Sequence, residues 1–466
     1  MTFRFLLAGA SALALAACTT VGPDYRAPSP ASAEPSAAAP FASAASPAFT
    51  GDEPLGRWWS LFRDPVLDRL IEQALVANTD LRVASANLSQ ARAVLREVRG
   101  NRLPTTTVSG GAGYGDPGEL GGAGTTFDAG FDVGYQLDLF GRLRRATEAS
   151  RADVEAVQAA FDLARITVAA ETARAYVDAC SAGRQLAVAN ESVRIQEQTF
   201  DLTRRLQVGG RGTALETGQA GAQLEQTRAA IPTIEANRQT ALYRLSVLTG
   251  RPPAEFPRDV AACATPPALA TPIPVGSGAG LLARRPDIRA AERQLAAATA
   301  RIGVATADLY PSISLGGSIG STASSFGNLV SGDGFRFSLG PLISWSFPNT
   351  RLARARIAQA EAGAQGALAR FDGTWLGALE ETESALTRYA SELDRVAALR
   401  RARAASNDAA RVARLRYRAG REGFQIVLEA ERSLSQIEAS LAAAESQLSN
   451  NLVALFLALG GGWEQA

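Results

Sequence analysis

From Phe127 to Leu139 apolar and polar positions alternate without a break: Phe127, Ala129, Phe131, Val133, Tyr135, Leu137 and Leu139 against Asp128, Gly130, Asp132, Gly134, Gln136 and Asp138. A period of two is the mark of a strand with one oily and one wet face. Three Asp and a Gln on the wet face suit a water-filled lumen opposed to lipid better than the surface of an ordinary half-buried sheet. About 13 residues at ~3.3 Å each, tilted, also cross a bilayer's hydrocarbon core. Three more segments repeat the pattern. Residues 335–347 set Phe335, Phe337, Leu339, Ile343, Trp345 and Phe347 against Arg336, Ser338, Gly340, Ser344 and Ser346. Residues 311–321 alternate Ile313, Leu315, Gly317 and Ile319 with Ser312, Ser314, Gly316 and Ser318. Residues 104–114 do so more weakly, with Val108, Ala112 and Tyr114 against Thr105, Thr107, Ser109 and Gly111.

These make two hairpins, strands 104–114 with 127–139 and 311–321 with 335–347, tipped by 115–126 and 322–334. Phe127, Tyr135, Phe335, Trp345 and Phe347 read as aromatic belts facing lipid. Four strands cannot close a membrane barrel, which needs about eight, and open edges are not tolerated in lipid. Several copies of the chain must therefore pool their strands.

Outside the hairpins the period lengthens. Asp64-Pro65 opens a helix as cap and first-turn residue, with Val66, Leu67, Leu70, Ile71 and Leu75 at helical spacing; the pattern resumes after Asn78-Thr79-Asp80 and runs to Arg102. From Arg142 to about Leu206 no Pro interrupts, and roughly 65 residues at 1.5 Å each make a helix near 100 Å, too long for a compact domain. Ala156, Ala159, Ala160, Ala164, Ala169, Ala170 and Ala173 suit close helix–helix packing. Gly209-Gly210-Arg211-Gly212 turns the chain, and Thr213–Thr249 returns as a helix with a kink expected at Pro232.

The plan then repeats. Asp80-Leu81-Arg82 through Leu103-Pro104 corresponds to Asp287-Ile288-Arg289 through Tyr310-Pro311, an offset of 207. Arg142-Leu143 matches Arg351-Leu352, Gly210 matches Gly420, and Leu248-Thr249-Gly250 matches Ala458-Leu459-Gly460. The chain is an internal duplication of helix, hairpin, long helix, turn and helix, mainly α with membrane β-strands. The first repeat spans 56–250 and the second 281–462, joined by a Pro-rich linker, 251–280. A trimer would give twelve strands and a matching ring of long helices.

Composition removes other classes. With 47 Lys+Arg against 46 Asp+Glu there is no electrostatic case for nucleic acid. The absence of histidine removes Ser-His-Asp and Cys-His catalysis and imidazole metal sites. No GxxxxGK[ST] is present, and the Gly cluster at 110–124 precedes a strand rather than a helix. An enzyme is not expected, nor is a cofactor beyond a covalent lipid. That lipid follows from the start of the chain. Residues 1–17 read as a signal peptide, and Leu15-Ala16-Ala17-Cys18 resembles the lipobox of bacterial lipoproteins, in which the Cys is acylated; Thr19, a non-Asp residue, then implies sorting to the outer membrane. Residues 18–55, rich in Ala, Ser and Pro with little to bury, are expected as an extended linker. Cys180 and Cys263 are either a disulfide pinning the second linker to the long helix or two buried free thiols; the bond is the expectation.

Taken together, Cys18-Thr19-Thr20-Val21-Gly22-Pro23-Asp24-Tyr25, Tyr135-Gln136-Leu137-Asp138-Leu139-Phe140-Gly141, Leu281-Leu282-Ala283-Arg284-Arg285-Pro286-Asp287-Ile288-Arg289 and Tyr417-Arg418-Ala419-Gly420 resemble the TolC-like outer-membrane efflux proteins, in particular the NodT/OprM-like lipoprotein branch. The resemblance covers essentially the whole mature chain. It implies a homotrimer with a twelve-stranded barrel in the outer membrane, a periplasmic helical tunnel, and partners in a periplasmic adaptor and an inner-membrane pump of RND type. The protein would be a passive exit duct for small molecules. The same fold serves type I protein secretion, distinguished only by the exporter partner. A non-channel periplasmic helical lipoprotein would lack the four alternating segments.

The resemblance also directs attention to the helix tips. There Tyr417 would join a bridging network before the Gly420 turn, with Glu422 just beyond it. Glu429, nine residues after Gly420, falls at the gate acid, with Arg432 one turn on. The family's second acid is replaced by Ile426, so an acidic ring plus an apolar ring from Ile426 or Leu428 is expected. In the first repeat Gly210 forms the matching turn, and Glu216 would tie neighbouring helices. Arg211 and Arg421 are the expected adaptor contacts. Read without the resemblance, Glu429, Glu431 and Arg432 are a solvated helix face with i,i+3 pairing worth tenths of a kcal/mol.

Overall fold

The computed structural model describes residues 20–29, 34–54, 56–115, 123–269, 271–331, 334–348 and 350–461. The signal segment 1–17, Cys18 and Thr19 lie outside the described residues, as do 116–122 and 332–333 of the hairpin tips and the final residue of the second repeat. The chain forms two compact units. One contains the residues up to Ser29, Ala86–Ala159 and Ile288–Thr374; the other contains Pro30–Ser85, Ala160–Asp287 and the residues from Trp375 onward.

Strand β1 (Phe49–Thr50) is short; β2 (Thr105–Gly115) and β3 (Gly124–Leu137) form the first hairpin; β4 (Ile273–Pro274) is short; β5 (Ser312–Ala323) and β6 (Phe335–Ser344) form the second. The last four long strands make one antiparallel sheet in the order β2-β3-β5-β6, leaving β2 and β6 as edges. Its register keeps the faces apart. Val108, Phe131, Ile319 and Phe337 stand opposite one another in one row, and Thr107, Asp132, Ser318 and Ser338 in the next. A slip of one residue would mix them. On the polar face Ser318 and Ser338 share a hydrogen bond of 2.8 Å, and Thr322 donates to Asp128 at 2.5 Å. The expected strands are displaced by up to three residues at their ends. Pro104 and Pro311, which have no N–H to give a ladder, stay outside, and β6 stops at Ser344 before Trp345 and Phe347.

Helices α1 (Pro65–Ala77), α2 (Thr79–Gly100) and α3 (Arg142–Val208) are followed by α4 (Ala214–Arg228), α5 (Ile231–Leu248), α6 (Arg258–Ala261), α7 (Gly278–Arg284), α8 (Pro286–Ala307), α9 (Thr350–Arg418) and α10 (Phe424–Ala458). Helices α3 and α9 run 67 and 69 residues, as the uninterrupted pattern requires. The expected single return helix with a kink is instead two helices. The break at Ala229–Ala230 comes just before Pro232, which sits in the first turn of α5, where its missing N–H costs least. Among the described residues no helix is long and apolar enough to cross a membrane.

In the first unit Ala152 of α3 packs on Ala296 and Ala297 of α8 with Tyr25 against them. The Val21–Tyr25 stretch is fastened there. Arg145 donates to the carbonyls of Val21 and Gly22 at 3.2 and 3.3 Å and to Asp24 at 2.7 Å. Gly22, at φ +89°, lies against Gly303, where a Cβ would meet the Gly303 Cα at 2.4 Å. Tyr25 donates to Glu292, with Arg293 over its ring.

The second unit corrects the linker expectation. Residues 34–54, expected to have little to bury, do bury side chains: Ala37, Phe41 and Phe49 are buried, and β1 pairs in parallel with β4 of the 251–280 segment, Phe49 opposite Ile273. Two Phe in an Ala/Ser/Pro stretch are enough apolar area to seat it. Trp58 stacks on Phe456 at 4.8 Å beside buried Trp59 and Phe62. Asp64 caps α1 through the amides of Val66 and Leu67 and accepts from the Tyr176 hydroxyl at 2.7 Å. The duplication recurs with changed chemistry: Asn78 donates to the Leu248 carbonyl closing α5, and Arg285 donates to the Ala458 carbonyl closing α10. Cys180 of α3 and Cys263 are joined by a disulfide.

Candidate functional site

The helix turns lie in the second unit, and each long helix ends the same way. Gly210 at φ +69° and Gly420 at φ +68° take the left-handed conformation. Their amides reach back to Gln207 and Tyr417 at 3.0 and 2.9 Å, and those of Arg211 and Arg421 to Leu206 and Arg416 at 2.8 and 2.9 Å. This paired bonding closes the last helical carbonyls, and glycine alone adopts it without steric cost. Arg211 and Arg421 hold their backbones in the turn and leave their side chains exposed. The return helices start differently. Thr213 and Glu216 form a reciprocal capping box at the start of α4, whereas α10 begins after Gly423 with no side-chain cap. Glu216 was expected to tie neighbouring helices; it instead satisfies the Thr213 amide at 2.9 Å, because a Glu three residues after a cap Thr is positioned for that bond.

Helix α10 presents an apolar stripe: Phe424, Val427 and Leu428 are buried with Ala413 of α9 and Ala220 of α4, and Phe200 of α3 and Tyr417 pack against them. Leu428 is therefore part of the core of the tip and not available for an apolar ring. Ile426 is 46% exposed on the opposite side, so it alone keeps that candidacy. Glu429 is exposed and accepts from Gln425 at 3.0 Å. The i,i+3 pairing with Arg432, read without the resemblance, is replaced: Arg432 donates to Gln223 of α4 at 2.7 Å. Glu422 lies 3.8 Å from Arg416, across the turn. Tyr417 has its ring 5.7 Å from that of Phe424, and burial together with the Glu216 carboxylate holds its hydroxyl above the usual tyrosine range.

The reading of a solvated helix face fails at Glu431. It sits seven positions after Phe424, on the buried stripe, and is 2% exposed. Thr199 of α3 donates to its Oε1 at 2.8 Å, and Arg414 of α9 reaches the same oxygen at 3.4 Å. Oε2 is buried with no hydrogen-bond partner among the described residues. Burial raises its carboxyl above the usual range, against the opposing pull of Thr199, Arg414 and Arg418. Its surroundings are polar too. Ser192, Gln196, Thr199 and Thr203, spaced as the core positions of a coiled coil, are all buried along α3. That spacing was the available signal.

A cleft of about 760 Å³ opens beside the tip where α4 breaks from α5, lined by Ser192, Gln223, Thr227, Ala230, Arg432 and Gln436 among others. Among the described residues no group of three or more His, Cys, Asp or Glu is placed to hold a metal ion. The tip offers exposed carboxylates, amides and hydroxyls.

A model of the family described as outer membrane efflux protein matches residues 70–251 and again 280–461, one match for each repeat. Outer membrane protein OprJ of Pseudomonas aeruginosa is 33% identical over 421 residues, 88% of this chain and 86% of its own. Nodulation protein T of Rhizobium leguminosarum bv. trifolii is 31% identical over 417 residues, 89% of each chain. The solved outer-membrane channel OprN is similar at a TM-score of 0.89 and 38% identity, over 96% of this chain and 100% of that one.

Proposed function

The chain belongs to the outer membrane efflux protein family, and from this we propose how it serves as the outer-membrane exit duct of an efflux pump: three copies pool their sheets into one twelve-stranded barrel. The observation that carries this reading is the sheet itself. One face is apolar row after row, and the edges β2 and β6 are unpaired. A lone sheet of this kind would expose unmet backbone groups to lipid. The directions also agree with closure, since β6 of one protomer beside β2 of the next continues the antiparallel alternation. Asp128, Asp132, Ser318, Ser338 and Arg336 would then face a water-filled lumen.

The helices of three protomers form a periplasmic tunnel. At its end, three copies of Glu429 converge as a carboxylate ring that favours cations and resists closure by mutual repulsion, with exposed Ile426 able to narrow the passage by dewetting. The duct is passive. Transport energy comes from an inner-membrane pump, of RND type, coupled through a periplasmic adaptor whose contacts include Arg211 and Arg421. Acylation of Cys18 anchors the N-terminus and supplements the barrel.

The test is conductance across planar bilayers with protein purified from outer membranes. Discrete cation-selective channels are expected, with selectivity reduced in Glu429→Gln. An assembled protein that never conducts would refute the duct, and wild-type selectivity in the variant would remove Glu429 from the gate.

A further inference from the structure

We infer that Glu431 is a proton-operated latch of the tip: its buried carboxyl holds α3, α9 and α10 together when neutral and loosens them when ionised. The inference rests on the duct reading above for its consequence, but its geometry stands within one protomer. Glu431 joins three helices drawn from both repeats: its own α10, α3 through Thr199, and α9 through Arg414. All three meet next to the turns whose separation would widen the passage.

The bonding favours the neutral form. A charge-assisted bond from Arg to a carboxylate runs to about 2.7–2.9 Å; the Arg414 contact is 3.4 Å, and its guanidinium is partly in water while the carboxyl is not. One oxygen has a single good donor, the Thr199 hydroxyl, and the other has none. A buried ionised oxygen without a donor is costly, and a proton placed on it removes most of that cost. Arg414 and Arg418 of α9 are the charged groups that act on it. Helix α3 offers the neutral stripe Ser192, Gln196, Thr199 and Thr203, in which Gln196 also carries a buried acceptor, Oε1, without a donor. Helix α4 offers Gln223, already taken by Arg432 of α10. Glu216, on α4, acts on Tyr417.

The sign follows from linkage. In the packed tip burial raises the carboxyl's affinity for a proton; in a splayed tip, where water reaches it, that affinity returns to the ordinary value. The packed form is therefore favoured in acid, and this favour is lost as pH rises through the packed-state pKa. A seam with polar residues at its core positions packs less strongly than an apolar one, so a single protonation per protomer weighs heavily on it. The duct would close more tightly when the periplasm is acidified.

The experiment measures open probability in planar bilayers between about pH 5 and about pH 8, together with hydrogen exchange of residues 424–434 corrected for the intrinsic rate at each pH, on the purified trimer. In wild type, opening rises and protection falls with pH. In a Glu429→Gln background, which removes the carboxylate ring, Glu431→Gln keeps the shape and stays neutral and brings the fold-change across this range to about one in both readouts, at the acid level of that background. Thr199→Val, which removes the donor to the ionised form, moves the wild-type transition to higher pH. A Glu431→Gln protein that retains the pH profile of the Glu429→Gln background, or a Thr199→Val transition moved to lower pH, would overturn the latch. If no variant conducts but exchange behaves as stated, the latch stands and the duct reading fails.

Discussion

Two adjacent residues of β6 separate the two faces of the wall. Leu339 is 78% exposed in the single chain and stands in the row Thr106, Val133, Gly317, Leu339; Ser338 stands in the row Thr107, Asp132, Ser318, Ser338. Both are near the middle of the strand and both are open to solvent in one protomer, so any difference between them must come from what surrounds the assembled barrel. Leu339→Arg places a guanidinium in lipid at a cost of about 2–4 kcal/mol near the bilayer midplane. Three copies in one barrel make that about 6–12 kcal/mol, comparable to the whole stability of an ordinary domain. Ser338→Arg loses the 2.8 Å bond to Ser318 and puts its charge in water, a change of about 0.5–1.5 kcal/mol per copy. Trimer recovered from outer membranes, read on a gel without heating and compared with total protein, should fall to near nothing for Leu339→Arg and stay near wild type for Ser338→Arg. Equal losses, or a larger loss for Ser338→Arg, would refute the assignment of faces.

Other outcomes follow from single bonds and turns. The disulfide Cys180–Cys263 closes a separation of 83 residues, so the double Ala variant should lose up to about 4.5 kcal/mol by loop entropy, seen as a lower guanidinium midpoint; an unchanged midpoint would show that packing alone holds the second linker. Gly420→Ala, at φ +68°, should cost about 1–2 kcal/mol, while Gly423→Ala, at φ −77° with open space around it but at the cap position of α10, should cost only about 0.5 kcal/mol. Exchange rates at the turn measure both, and similar effects at the two positions would contradict the turn geometry.

What could be read in advance follows the strength of each local signal. Strict alternation over β3 and β6 specifies both strand and face, because a slip of one residue reverses every side chain. The lengths of α3 and α9 followed from the absence of breakers, and the duplication from fixed offsets. The burial in the first linker was not read because a stretch poor in apolar residues looks unburied on average, although Phe41 and Phe49 are buried. At the tip, the resemblance singled out Glu429, which is exposed, but partners on other helices decide pairing. Arg432 turns to Gln223, Leu428 enters the core, and Glu431, indistinguishable in composition from its neighbours, is the carboxyl that becomes buried. The helices themselves were legible; which face of α10 met its neighbours was not, since Leu428 and Glu431 are both buried.

The pooling of strands is tested most directly by the native mass of the protein extracted from outer membranes in mild detergent. A species of three mature chains is predicted, with no substantial folded monomer. A stable monomer with its sheet intact would leave β2 and β6 as open edges and contradict the barrel.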